Sequence, residues 1–239
     1  MVRIFFVACL CGLVPAFAQP DSPPALGNAD TPVVTAETVG TTILSEDDLR
    51  GGVLIVHTLP DLSYTAPAPA GGWCDFCDLR RCEDAHTQVG AGPTVWFVIS
   101  AWAGEKAFVA TEFGLGEFAA DLYVFLDHGP CWPSGMAIYY PDVRVFPAPH
   151  TAVALATTRS PWRGNYVPVY WFAGYSYQGT GTIPLTKFPL TEHAGWVNTL
   201  DIPESYDAAC LGALGVGTPG VACCPQPPDS AASAPADGQ

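Results

Sequence analysis

Charge is what this chain has least of. Asp, Glu, Lys and Arg make up 13% of its 239 residues, against about a quarter in an ordinary soluble domain. Nine of them are basic and 23 acidic, for a formal net charge of −14. A chain so poor in cations repels nucleic acid and anionic lipid, so neither is an expected partner. Long apolar runs are missing too. Beyond residue 18 nothing approaches the ~18 to 20 uninterrupted apolar residues of a membrane helix, so no membrane span is expected. Also absent are G-x-S-x-G, H-E-x-x-H, the P-loop, the EF-hand loop and any N-x-[ST] acceptor, and with them the enzymes those motifs mark. Disorder is excluded from the other side, because 49% hydrophobic and 12% aromatic residues are the reverse of a disordered composition.

The N-terminus has its own character. Arg3, the apolar run Ile4–Val14 and the small-residue end Ala16-Phe17-Ala18 read as a secretory signal peptide, too short to span a bilayer and cleaved after Ala18. The expected location is therefore secreted or periplasmic. Loss of residues 1–18 removes Arg3, Cys9 and Cys11 and makes the remainder one unit more acidic. Residues 19–32, with four prolines and no apolar period, read as a flexible leader, and 225–239 as a disordered Pro/Ala/Ser tail. Between them, 33–224 is long enough to bury one proper core.

Gly and Pro, 24 each, punctuate that domain into short runs rich in Val, Ile, Phe, Tyr and Trp. These are 52–58 (GVLIVHT), 94–102 (TVWFVISAW), 107–113, 121–127, 136–140, 151–157, 167–173 and 210–216. Short strands between turn signals predict an all-β chain, an antiparallel β-sandwich of Ig-like or jelly-roll-like form. One short helix is expected over 78–88, where Leu79, Cys82, His86 and Val89 recur at helical spacing, and Ser45–Arg50 suits a single turn. The strings TVWFVISAW, YVFLDHGPC (123–131), VPVYWFAGYSYQG (167–179) and GWVNTLDIPESYDAACLGALGVGTPG (195–220) followed by ACC resemble a group of uncharacterised secreted bacterial proteins over 94–224. That resemblance implies a β-sandwich outside the cytoplasm and carries no activity.

Chemistry concentrates in WCDFCDLRRCEDAH, residues 73–86. Were 78–88 helical, Cys82 and His86 would share a face with Cys74 and Cys77 on the turn before it, three sulfurs and a nitrogen suited to a closed structural zinc site. In an oxidising compartment the same cysteines form disulfides instead, which makes Cys74, Cys77, Cys82, Cys131, Cys210, Cys223 and Cys224 disulfide candidates with no cofactor. Seven cannot all pair within one chain. Adjacent Cys223 and Cys224 are too close to bond each other, so one of them is expected to reach Cys210 or Cys131.

The second cluster is YVPVYWFAGYSY, 166–177. Alternation places Tyr170 and Phe172 on one face and Val169 and Trp171 on the other, as in a central strand buried on both sides. Tyr175 and Tyr177, about 7 Å apart on one face, could stack on sugar rings together with Trp171, and Trp102, Trp132 and Trp162 could extend that platform. Asp127-His128 reads as a solvated turn, and His57 as a strand histidine. Gly215 to Gly220 matches G-x-G-x-x-G literally but has no helix to follow it, so a dinucleotide site is rejected. Glu112, Glu117 and Asp121 are carboxylates that could pair as in a glycosidase.

The reading that follows is a secreted, non-enzymatic β-sandwich module with a binding or surface and matrix role, its partner an extracellular polysaccharide or surface protein and no catalytic residue named. A secreted carboxylate-dependent hydrolase and an exported protein with a zinc site at Cys74, Cys77, Cys82 and His86 are the alternatives.

Overall fold

The computed structural model describes residues 52–225, apart from 66–68, 70–71, 133–134 and 178. The signal, the leader, the turn at 45–50 and the tail beyond Pro225 lie outside the described residues. The described residues form eleven strands: β1 (Gly52–Thr58), β2 (Gln88–Val89), β3 (Gly92–Leu115), β4 (Val124–Pro130), β5 (Gly135–Tyr140), β6 (Ala152–Thr157), β7 (Trp162–Ser176), β8 (Gly181–Thr186), β9 (Gly195–Asn198), β10 (Pro203–Leu211) and β11 (Ala213–Val216). The fold is the expected β-sandwich.

β3 is its spine. The first half of β3 pairs with β7 and β1, and the second half with β6 and β9, all antiparallel. β4 adds outside β7, and β5 outside β6. Between the halves, exposed Ala103, Gly104 and Glu105 interrupt the β7 register. The 94–102 and 107–113 runs thus belong to one strand with a kink, as bulges allow. Side chains from the two halves meet in the core. Trp102 packs edge-on to Trp196 at 5.1 Å, and Phe113 meets Tyr170 at 6.0 Å.

Three details depart from expectation. Two pairings are parallel, β1 with β10 and β2 with β11. β7 carries a bulge opposite Val98/Ile99, so Val169 turns inward with Tyr170 and Phe172, while Trp171 stays on the outer side with Ala173. The helix over 78–88 does not form. Cys74–Phe76 and Cys82–Asp84 are single 3-10 turns, and the segment that follows is drawn out as β2. Sheet partners claim the backbone there: Thr58 donates to the His86 carbonyl, Gly215 to Thr87 and Gly217 to Val89. A lone eleven-residue helix has little to set against those bonds.

The described residues form two cores. The inner one lies between the layers and holds Trp96, Trp102, Phe108, Phe113, Trp162, Tyr170 and Phe172. The outer one covers the reverse side of β1, β3 and β7. There Val53, Ile55, Val95, Phe97, Ile99 and Trp171 are roofed by Trp73, Leu79 and the cysteines of the loop between β1 and β2. That loop is a flap, and it makes the central strands apolar on both sides.

Candidate functional site

The flap is fastened covalently. Cys74 bonds Cys131 at the end of β4, and Cys82 bonds Cys224 in the C-terminal segment. The zinc set is thereby dismantled, since two of its thiolates are consumed by bonds to distant partners. Among the described residues no group of three or more His, Cys, Asp or Glu is placed to hold a metal ion. The expectation that Cys223 or Cys224 ties back to Cys210 or Cys131 fails for Cys224, which takes Cys82. Cys77, Cys210 and Cys223 stand outside these two bonds.

His86 contributes through its backbone. Its N–H donates to His57 Nδ1 at 3.1 Å, which places the His57 ring proton on Nε2, 3.5 Å from Asp78 Oδ1. His57 thus pins the flap from beneath, and burial holds its pKa below the ordinary histidine value. Asp127-His128 is no turn either. It lies on β4, with His128 Nδ1 2.6 Å from the Tyr170 hydroxyl and its pKa lowered by burial.

The tyrosine cluster divides. Tyr175 and Tyr177 come together edge-on with ring centres 4.5 Å apart and a 2.8 Å hydroxyl–hydroxyl bond. Tyr177 is 70% exposed, and Tyr64, Pro93 and Leu126 complete a shallow patch around the pair. Trp171 does not join them. Gly129 faces it on β4, and the missing side chain lets the indole lie flat beneath the flap. Trp102 and Trp162 are buried in the inner core, and of the three extra tryptophans Trp132 alone is exposed.

Sequence reasoning missed a second concavity, a groove of about 480 Å³ on the outer face of β5, β6, β3, β9 and β10. Register builds it. One row across the strands reads Met136, Ala156, Ala110, Val197, Pro203, and the next reads Ile138, Ala154, Glu112, Gly195, Ser205. Rows on one face lie ~7 Å apart and neighbouring strands ~4.8 Å apart. The middle of the floor is therefore mostly alanine and glycine, with Val197 beside them, too small to fill the space above. Met136 and Ile138, 54% and 56% exposed, form one wall. Within the rows Glu112 is the one charged side chain, and the Thr191 hydroxyl donates to its Oε1 at 2.6 Å.

Glu204 edges the same groove from β10. Asn198 Nδ2 donates to its Oε1 at 2.8 Å, its Oε2 is buried without a partner, and burial raises its pKa. Glu117 and Asp121 lie exposed in the β3–β4 connection and do not line the groove. The groove was legible only as alternation, in the M-A-I of 136–138 and the A-L-A of 154–156. Alternation does not reveal which face stays open.

A β-sandwich with one face sealed by a disulfide-held flap and another left open as an apolar groove is the class of molecule that fold and site define. No family model matches the chain, and no curated protein matches it. Among solved structures, the cohesin module from a family 33 glycoside hydrolase of Clostridium perfringens aligns with 55% of this chain and 89% of its own length, at 11% identity and a TM-score of 0.39.

Proposed function

We propose that this chain is an exported, non-enzymatic binding module whose ligand surface is the groove across β5, β6, β3, β9 and β10. The ligand is a polypeptide segment that presents aliphatic side chains together with a lysine or arginine. The observation that carries this reading is the pair of registered rows: a small-residue floor, a Met–Ile wall and one anchored carboxylate. Exposed apolar area of this kind marks interaction surfaces, because burying it gains ~25 cal/mol per Å². Glu112 gives a cation its place, and a chain of net charge −14 speeds the approach of a basic partner. The test is a display panel of amphipathic peptides, basic and acidic, against the purified chain. Basic members are expected to bind, Ile138→Asp and Glu112→Gln each to weaken binding about tenfold or more, and Tyr177→Ala to leave it intact. Ile138 is exposed, so its variant keeps stability within about ±0.5 kcal/mol in urea titration. Equal binding of acidic and basic peptides, or indifference to both groove variants, rejects the reading.

The exposure of Tyr177 favours a second one, carbohydrate stacking at the Tyr175–Tyr177 patch. A glycan array and an insoluble-polysaccharide pull-down that both remain empty remove it, and retention abolished by Tyr177→Ala supports it. Hydrolysis of glycoside or ester substrates, lost in Glu112→Gln, would instead promote the hydrolase alternative.

A further inference from the structure

The cysteines left over in the outer core are not scattered. Cys210 lies next to the end of β10, and Cys223 lies beyond the turn that follows β11, yet both pack into the outer core, near enough for Cys210 to help raise the Cys223 pKa. Strand pairing brings them there. Ala213 and Val221 exchange both backbone hydrogen bonds, at 3.0 and 2.9 Å, so the chain leaving β10 returns alongside itself and delivers Cys223 to the residues just before Ala213. Cys224 is already committed to Cys82, and successive side chains of extended backbone point opposite ways. If Cys224 reaches the flap, Cys223 turns toward β10. Its carbonyl, not its sulfur, meets Cys82 Sγ, at 3.4 Å. Cys223 is buried and Cys210 packs against the same cluster.

We infer that Cys210 and Cys223 form a third disulfide, which ties the C-terminal segment to β10 and so anchors the flap at both margins of the sheet it covers. Cys131 holds the flap to β4 through Cys74. The bond to Cys224 leads back to β10 by a direct crosslink, and not only along the backbone through β11, when Cys223 is joined to Cys210. The odd cysteine is then Cys77, whose thiol burial pushes up to about 11, leaving it protonated and slow to react at neutral pH.

The chemistry is thiol–disulfide exchange with a disulfide of a thiol oxidoreductase, or a small-molecule disulfide, in an oxidising compartment. One cysteine thiolate attacks the acceptor disulfide and displaces one thiolate. The second cysteine, deprotonated in turn, attacks the mixed disulfide at the protein sulfur and displaces the other. The two displaced thiolates take up the two protons released, so the protein loses two electrons and the acceptor gains them. Burial raises the Cys223 thiol to about 12, which favours exchange before the flap covers the pair.

The test uses the full chain exported into an oxidising compartment, denatured without reductant, alkylated and digested with chymotrypsin. Cleavage after Leu211 and Leu214 separates Cys210 from Cys223, and electron-transfer fragmentation distinguishes Cys223 from Cys224. Over residues 74–224 the expected result is one alkylated cysteine, Cys77, with Cys210 joined to Cys223. Alkylation at all three of the free positions overturns the inference, and so does a bond from Cys210 or Cys223 to any other cysteine. Cys210→Ser is expected to double the alkylatable thiols by freeing Cys223, whereas a drop in their number on that substitution overturns the pairing. Cys77→Ser should abolish alkylation in this region and leave all three bonds in place, which makes it the control for folding.

Discussion

Tyr206 shows what a single residue contributes here. It is buried among Trp102 and its neighbours, and its hydroxyl lies 2.6 Å from Ser100 Oγ and 2.8 Å from Thr111 Oγ1, joining the two halves of β3 through one oxygen. Tyr206→Phe removes that oxygen and strands the Ser100 hydroxyl. The expected cost is ~1–3 kcal/mol, read as a lower urea midpoint at unchanged slope. His57 is the corresponding case for pH. Burial lowers its folded pKa below 6.5, so between the folded and the unfolded values the unfolded chain binds more protons. Stability is complete above about pH 6.5 and declines as the pH falls through the depressed folded value. His128 has the same sign. Urea midpoints followed downward from pH 7.5 should fall, and His57→Gln should flatten part of that fall. A midpoint independent of pH over that range contradicts the assignment.

At the scale of elements, backbone approach decides more than side-chain type. The literal G-x-G-x-x-G of Gly215–Gly220 is a packing device. A Cβ on Gly220 would collide with the Ala213 and Thr87 carbonyls, and one on Gly215 with the Thr218 carbonyl. This is where β11, β2 and the returning C-terminal segment cross at backbone distance. Gly220→Ala is expected to destabilise by ~3 kcal/mol, the upper end of overpacking costs, in the same urea titration, while Gly90→Ala, with open space around it, should change it little. β8 and most of β10 went unseen in the sequence because Pro184 interrupts one and PESYDAAC alternates too weakly to read as a strand. Partners on neighbouring strands supplied what local pattern withheld.

For the whole molecule, the division into two cores carries a consequence. The inner core contains no cysteine, while every described cysteine but Cys224 belongs to the outer core or packs against it. Reduction should therefore release the flap and leave the sandwich standing. In dithiothreitol, amides of β6 and β9 are expected to remain protected from hydrogen exchange while those of 72–87 lose protection, and acrylamide quenching of tryptophan should rise as Trp171 is uncovered. Loss of protection everywhere at once would mean that the disulfides, not the inner core, hold the fold.

The sequence by itself determined the strand-rich class, the central burial of 166–174 and the cysteine count, because apolar alternation and turn residues are local signals. It misled on 78–88, where spacing fit a helix and disulfides with sheet edges claimed the chain, and on Trp171, whose indole lies against Gly129 under the flap and not beside Tyr175 and Tyr177. Only the tertiary structure decided which cysteines meet and which sheet face stays open. Both depend on residues far apart in sequence, such as Cys82 with Cys224 and Glu112 with Ala154 and Gly195, and no local period records which distant strand will lie beside another.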